Sequence, residues 1–301
     1  MHQGSHLQTG YMNKKELVTD NKIDNRFAVS AKQAWKVTDW KLKVRNQARR
    51  AVLAYADRTW KSPDKNFVRC LYGHAIFPEH QGRLRQVIQD LKRNGEFIDT
   101  QTLASIIKSG KQPDGRFYHL SFDDGFANVF EEGGEVFADE KIPFSIFVVT
   151  DMVGSSFEKM TRYNDEKLKY GAPLRTLSWD EIRAVITAGG EIGCHTYSHS
   201  RLSAISSDTE QLIREIKTAK QKIEEETGIV CKSFAWPFGK YSDIDEISLE
   251  LIRECGFEIC FSAERGKIIS GKTDLFQVPR HQVELHWPVW ENLLWARGYR
   301  E

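Results

Sequence analysis

Phe117-Tyr118-His119-Leu120-Ser121-Phe122-Asp123-Asp124-Gly125 is the stretch on which the reading of this chain turns. Its first six residues are aromatic or apolar with small polar residues between them, a composition that favours a strand. The Asp-Asp-Gly that follows stops the strand, because Gly allows a tight turn and Asp is at home in one. Ala127 to Glu140 then carries apolar residues at helical spacing. The unit is strand, sharp turn, helix, with two carboxylates at the carboxyl end of the strand.

Working outward, the same alternation repeats. Strands are predicted at Phe67–Tyr72, Pro143–Val149, Gly190–Cys194, Cys231–Trp236, Phe257–Phe261 and Phe276–Pro279. Helices are predicted at Gly82–Asn94, Trp179–Ala188, Asp208–Thr227 and Ile244–Glu254. Strands separated by helices at this interval imply an α/β fold with a parallel sheet or barrel. In such folds active residues gather beyond the carboxyl ends of the strands. His74, Asp123, Asp124, His195 and the segment Trp236-Pro237-Phe238-Gly239 meet that condition, each directly following a predicted strand.

The bulk composition narrows the function classes. The chain has 301 residues, 40% hydrophobic and 28% charged, with a formal net charge of +1. That is the composition of an ordinary globular protein, and it gives no electrostatic reason to expect nucleic acid. Five cysteines (Cys70, Cys194, Cys231, Cys255, Cys260) form no CxxC pair, so neither a disulfide framework nor a cysteine zinc site is indicated. No apolar run is long enough to span a bilayer, and no signal peptide is visible, so the chain reads as cytoplasmic. Residues 1 to about 30 are polar and aperiodic, and are expected to be poorly ordered or extended. From Ser30, which can cap a helix, to Trp60, residues Trp35, Leu42, Val44 and Val52 recur at near-helical intervals. Lys32, Lys36, Lys41, Lys43, Arg45, Arg49 and Arg50 stand between them. This basic amphipathic helix could lie on anionic lipid at the inner membrane, dock on a partner, or pack on the rest of the fold. The division expected is an N-terminal extension over 1–62 and a catalytic domain over 63–301 that ends in a Trp-rich helix (Trp287, Trp290, Trp295).

Two clusters carry chemistry. Adjacent Asp123 and Asp124 at a strand end repel, and a nearby cation relieves the repulsion. If Asp124 holds a divalent metal, Asp123 can serve as base for a water beside it. The motif alone also makes a good turn. His195 and His199, four residues apart just beyond a strand, can turn two imidazoles toward one ion, or can simply be structural. Joined to the upstream Asp-Asp, they form a two-imidazole, one-carboxylate set that leaves positions open. Such a set accepts zinc first, and also cobalt, nickel or iron. No glycine-rich phosphate cradle is present, and the carboxylates are too few for a two-metal site.

The runs His119-Leu-Ser-Phe-Asp-Asp-Gly-Phe, Gly189-Gly-Glu-Ile-Gly-Cys-His-Thr-Tyr-Ser-His and Ser233-Phe-Ala-Trp-Pro-Phe-Gly resemble, in order and interval, the polysaccharide deacetylase family (carbohydrate esterase family four). The resemblance covers about Phe67 to Val283. It implies a distorted (β/α) barrel with fewer than eight repeats and hydrolysis of an N-acetyl group from an amino sugar. By position it makes Asp123 the general base, Asp124, His195 and His199 the metal ligands, and the Phe238 N–H an oxyanion donor. Trp236 and Phe238 would wall the acetyl pocket, or pack in the core.

The chain departs from the family pattern in two places. An arginine that orients the base commonly opens the third motif; Ala235 stands there, and Arg280 is the candidate substitute. The late Leu-x-His motif that supplies the acid is matched only by Glu284-Leu285-His286, in a different context. Cys70-Leu71-Tyr72-Gly73-His74, followed by a helix, Asn94-Gly-Glu-Phe-Ile-Asp99 and a second helix, resembles the poly-N-acetylglucosamine deacetylase branch, with Gly73 inserted. That makes His74 the candidate acid and Tyr72 a substrate contact, with His286 and His80 as alternatives. The expected substrate is an N-acetylated polysaccharide, glycolipid or nucleotide-linked sugar of surface-glycan biosynthesis. Two other readings stand: an inert carbohydrate-binding module on the same scaffold, and a deacylase for another small acyl group such as formyl.

Overall fold

Apolar residues on both sides of each strand require cover on both faces, and a sheet curled into a barrel with helices outside supplies it. The computed structural model describes residues 26–35 and 40–301. Its eight strands are β1 (Phe67–Gly73), β2 (Glu96–Phe97), β3 (Arg116–Phe122), β4 (Ser145–Val148), β5 (Glu191–Cys194), β6 (Ser233–Ala235), β7 (Ile259–Phe261) and β8 (Arg280–Gln282). They form one parallel sheet in the order β7-β6-β5-β4-β3-β1-β8, with the short β2 beside the first half of β3. A parallel bridge between Phe261 and Val278, two residues ahead of β8, nearly closes the barrel. The fold class read from the sequence is the one observed.

The helices are α1 (Ala31–Ala34), α2 (Trp40–Thr59), α3 (Gln81–Lys92), α4 (Thr100–Ser109), α5 (Ala127–Glu140), α6 (Phe157–Tyr163), α7 (Trp179–Thr187), α8 (Thr209–Ile213), α9 (Ala219–Thr227), α10 (Glu246–Glu254) and α11 (Val289–Ala296). Side chains alternate along each strand, so one set meets the helices and the other fills the barrel. On β3, Leu120 and Phe122 join Leu84, Val87 and Ile88 of α3 and Val136 and Phe137 of α5 in the outer layer. Each such side chain, fully buried, contributes about 1.5–3 kcal/mol. Inside, Cys70, Phe147, Ala235 and Phe261 share a smaller apolar cluster, and His119 stacks on Phe261 at 5.1 Å.

Three local expectations change. The single helix expected from Ser30 to Trp60 is two helices. Trp35 follows α1 and packs on Tyr170 (4.6 Å) and Phe77 (6.1 Å), away from α2. On α2 the residues buried against Leu294 and Trp295 of α11 are Leu53 and Ala56, while Val52 points to solvent. The apolar stripe is therefore set by what α11 offers, and it lies one residue along from the stripe read by spacing. Lys36, the side chains of Lys41, Leu42, Lys43 and Val44, and the segment before Arg26 lie outside what the structure describes. Of the strand expected at Phe276–Pro279 only Val278 pairs, bridging to Phe261, while Phe276 and Gln277 form a turn in which Asp274 accepts their N–H groups. Pro279, without an N–H, precedes the true strand. The long helix expected at Asp208–Thr227 is α8 and α9 joined by a π turn, Arg214–Thr218.

Candidate active site and metal centre

The cluster of titratable groups sits at the carboxyl rim of the barrel. The Asp123 N–H continues the β1–β3 ladder by donating to Gly73 O (3.0 Å), which sets Asp123 beside the strand end that carries His74. The chain then reverses at once. Asp124 has φ +69° and Gly125 φ +66°, two successive left-handed residues. Asp tolerates this conformation better than most residues, and Gly adopts it without strain. A Cβ on Gly125 would also press on Val148 at 3.1–3.3 Å. The turn carries Asp124 toward the loop after β5.

In that loop the His195 N–H donates to Val148 O (2.9 Å), and the His195 Nδ1 lies 2.6 Å from Ala235 O. That carbonyl accepts the Nδ1 proton and leaves Nε2 with a free lone pair. Thr196 and His199 both take left-handed backbone, φ +67° and +59°, and the His199 N–H donates to Thr196 Oγ1 at 2.9 Å. The result brings three side chains together. Asp124 Oδ1 is 3.6 Å from His195 Nε2 and 3.3 Å from His199 Nε2, and all three groups are buried.

The donor set fits a divalent cation. A tetrahedral ion with bonds of roughly 2.0–2.1 Å spaces its ligands about 3.3 Å apart, close to the spacing observed. Burial pushes His195 down to about 4, so the imidazole is neutral, as a ligand must be. Burial would raise the Asp124 carboxyl, but the hydrogen bond and charge of His199, with the charge of His74 behind, hold it well below the ordinary carboxylate range.

Asp123 faces another way. Arg280, fully buried inside the barrel, donates to Asp123 Oδ1 and Oδ2 at 2.8 Å each, to Ser121 Oγ at 3.1 Å, and from Nε to Ser262 O at 2.7 Å. Its guanidinium lies 4.5 Å over the Tyr72 ring. Burial would raise Asp123 too; the charge and hydrogen bonds of Arg280, together with the neighbouring His195 and His74, outweigh it and keep the carboxyl below its usual value. Arg280 opens β8, where the sequence reading had it following the last strand.

His74 stands across the rim, its Nδ1 2.7 Å from Glu284 Oε1. Gln282 Nε2 donates to the same oxygen at 3.1 Å, and Asn292 of α11 holds the Glu284 backbone through both N–H (2.9 Å) and C=O (3.0 Å). Burial alone would lower His74, but the Glu284 charge and hydrogen bond, aided by Asp124 and Asp123, raise it to about 9. Glu284 is the site residue that sequence reasoning missed. It was visible only as the first letter of Glu284-Leu285-His286, read there for its histidine. His286 packs between Trp35 (5.9 Å) and Trp287 (5.8 Å), and His80 is buried against Phe77. Neither lines the cavity.

That cavity, of about 180 Å³, is walled by Tyr72, His74, Asp123, Asp124, His195 and His199 together with Trp236 and Phe238, and bordered by Lys167 in the π turn Asn164–Leu168 that continues α6 and by Tyr170 just beyond it. Tyr170 and Lys167 carried no signal in the sequence. Trp236 is buried and ties its own turn by donating from Nε1 to Lys240 O at 3.0 Å. Phe238 is exposed and left-handed, φ +65°.

A family model described as polysaccharide deacetylase matches residues 110–260, half of the chain. The chain belongs to the polysaccharide deacetylase family. Several solved structures share the fold. IcaB from Ammonifex degensii is 21% identical, with a TM-score of 0.58 over 77% of this chain and 97% of its own. PplD from Streptococcus pyogenes, solved with acetate, is 16% identical, with a TM-score of 0.59 over 77% and 97%. The BpsB deacetylase domain from Bordetella bronchiseptica is 17% identical, with a TM-score of 0.59 over 75% and 98%. No curated protein matches the chain in sequence. His74, Asp123, Asp124, His195, His199, Trp236 and Phe238 lie on loops leaving the strand ends, while Tyr72 and Arg280 stand on β1 and β8 and the barrel below supplies rigidity.

Proposed function

We propose that this polysaccharide deacetylase is a divalent-metal-dependent amidohydrolase that removes the N-acetyl group from an amino-sugar residue of a glycan. The observation that carries the reading is one cavity holding two different carboxylates. One, Asp123, is bound by a guanidinium; the other, Asp124, is grouped with two imidazoles, and a protonated histidine faces both.

Asp124, His195 and His199 would hold the cation, zinc first among zinc, cobalt, nickel and iron. When bound, it supplies a Lewis acid that polarises the amide carbonyl and acidifies the attacking water. The remaining work falls to the chain. Asp123, kept ionised by Arg280, accepts the proton of the water as it attacks. Because Arg280 grips both oxygens, the lone pair that takes the proton points in a fixed direction. The Phe238 N–H donates to the oxyanion that develops on the carbonyl. His74, protonated at neutral pH, gives its proton to the leaving amine, and Glu284 steadies the charged imidazole beforehand. Tyr72, Trp236 and Phe238 shape the walls around acetyl group and sugar ring.

The substrate is read as a polysaccharide, glycolipid or nucleotide-linked sugar of surface-glycan biosynthesis, handled by a catalytic unit spanning 63–301. No helix among the described residues is long and apolar enough to cross a membrane. The outward side of α2 exposes Val52 and Tyr55 between Arg45 and Arg58, which supports peripheral contact with an anionic membrane. Co-sedimentation with anionic but not neutral vesicles tests that contact.

Acetate release from N-acetylglucosamine oligomers, glycolipids and nucleotide sugars, before and after chelation, tests the reaction. Release that stops with chelator and returns with zinc is the expected result. Absence of acetate from every substrate, with the protein metal-loaded, overturns the reading.

A further inference from the structure

Between the two histidines lies a loop that needs holding. Thr196 and His199 are both left-handed non-glycine residues, a conformation that persists only where the surroundings over-determine it. The surroundings here come from the helical segment that runs from α8 to α9. Glu215, buried within the π turn, accepts from Ser198 N (2.8 Å) with one carboxylate oxygen. Its other oxygen accepts from Ser198 Oγ (2.5 Å) and Ser200 Oγ (3.2 Å). Its main-chain carbonyl accepts from Tyr197 N at 3.0 Å. A π turn slips the helical hydrogen-bond ladder by one residue, so a carbonyl can face outward to another segment. Arg214 and Lys222 of the same helical run lie over the Tyr197 ring at 4.5 and 5.8 Å. A buried carboxylate is costly unless hydrogen bonds satisfy it. All the donors that satisfy this one belong to the loop that carries His199.

We propose that Glu215 is a positioning residue for the cation site. It fixes Tyr197–Ser200 in the single conformation that turns His199 toward Asp124 and His195, and thereby sets how tightly the site takes a divalent cation. This rests on the reading of Asp124, His195 and His199 as ligands.

The test measures zinc and cobalt dissociation constants by competition with a chromophoric chelator, alongside the visible spectrum of the cobalt-loaded protein and the melting temperature of the metal-free protein. Glu215→Gln keeps size and removes the charge that Ser198 and Ser200 donate to. The expected result is a weakening of about 10–100-fold, the usual cost of losing a partner that orients a ligand, with an altered cobalt spectrum. Unchanged affinity and spectrum, with only a lower melting temperature, would make Glu215 merely structural and overturn the proposal. His199→Ala serves as the control. If it binds cation like the parent, the ligand assignment itself is wrong. If it loses cation while Glu215→Gln does not, the Glu215 inference alone is wrong. Should Glu215→Gln lose its near-ultraviolet circular dichroism, Ser198→Ala replaces it. That variant leaves the carboxylate paired with Ser198 N and Ser200, and an affinity equal to the parent's overturns the proposal.

Discussion

Arg280 and Asp123, 157 residues apart in sequence, meet inside the barrel through two parallel hydrogen bonds of 2.8 Å. Ala235, at the start of the third motif, offers no such group, so a guanidinium from β8, two strands from β3 in the sheet, takes the place beside the carboxylate. The consequence is a base that stays ionised although buried, because the charge and hydrogen bonds of a fixed cation, with the neighbouring histidines, together outweigh the desolvation that would protonate it.

Arg280→Met leaves Asp123 buried and uncompensated. Its carboxyl then rises, so the acid limb of the pH–rate profile moves to higher pH. Stability falls by about 3–5 kcal/mol, the scale for breaking one side of a buried pair. Denaturant melts and kcat against pH check both; an acid limb left in place would show that Arg280 does not tune the base.

Asp123→Asn keeps shape and the metal ligands while removing the proton acceptor. Turnover is expected to fall by about 10²–10⁴-fold, the range for losing a general base, with bound metal unchanged by elemental analysis. Full activity in this variant would sink the assignment.

His74 is held up at about 9 by Glu284, so its charged form is favoured by folding. The sign follows: the stabilisation is complete below the unfolded histidine value of about 6.5 and fades as pH rises through about 9. As acid, His74 is competent on the low-pH side of that value. Glu284→Gln removes the main raising influence, so the high-pH limb of kcat moves toward neutrality. A limb that stays where it was would remove His74 from the acid role.

Phe238→Gly retains the main-chain N–H and relieves the left-handed strain of φ +65°. It deletes only the aromatic wall. KM is therefore expected to rise more than kcat falls. A collapse of kcat with KM unchanged would place the ring itself in the transition state.

At the other end of the barrel Glu301 binds Arg69 (Nε to Oε1, 2.6 Å) and lies 3.1 Å from His281 Nε2. Burial would raise its carboxyl; Arg69 and His281 instead hold it at about 2. A depressed carboxylate contributes stability above its unfolded value of 4.5, lost as pH falls toward about 2. Glu301→Gln should lose about 3 kcal/mol near neutrality and almost nothing near pH 2. Chemical denaturation at the two pH values measures the difference.

Much of this was legible in the chain. Ala127–Glu140 has the bounds its periodicity predicts, β3 and β5 end where the apolar runs stop, and β1 runs one residue further, to Gly73. The cluster Asp123, Asp124, His195, His199 could be found because the two carboxylates and His195 directly follow strands, with His199 four residues beyond His195, and the rim of a parallel barrel is where strand ends converge. Local reading failed where a partner decided the outcome. Val52 fits a helical stripe as well as Leu53 does, and only the position of α11 buries one and exposes the other. Pro279 marks where β8 cannot begin, yet nothing near it says that the next residue points inward.

By itself the sequence determined the alternating α/β architecture, the turn at Asp123-Asp124-Gly125 and the two-histidine loop, since strand period, helix period and turn chemistry are properties of neighbouring residues. Only the tertiary structure decided that Arg280 holds Asp123, that Glu284, 210 residues from His74, charges it, and that Glu215 braces the loop between the histidines. Those pairings exist because the barrel closes, and closure sets distances between residues that no local pattern relates.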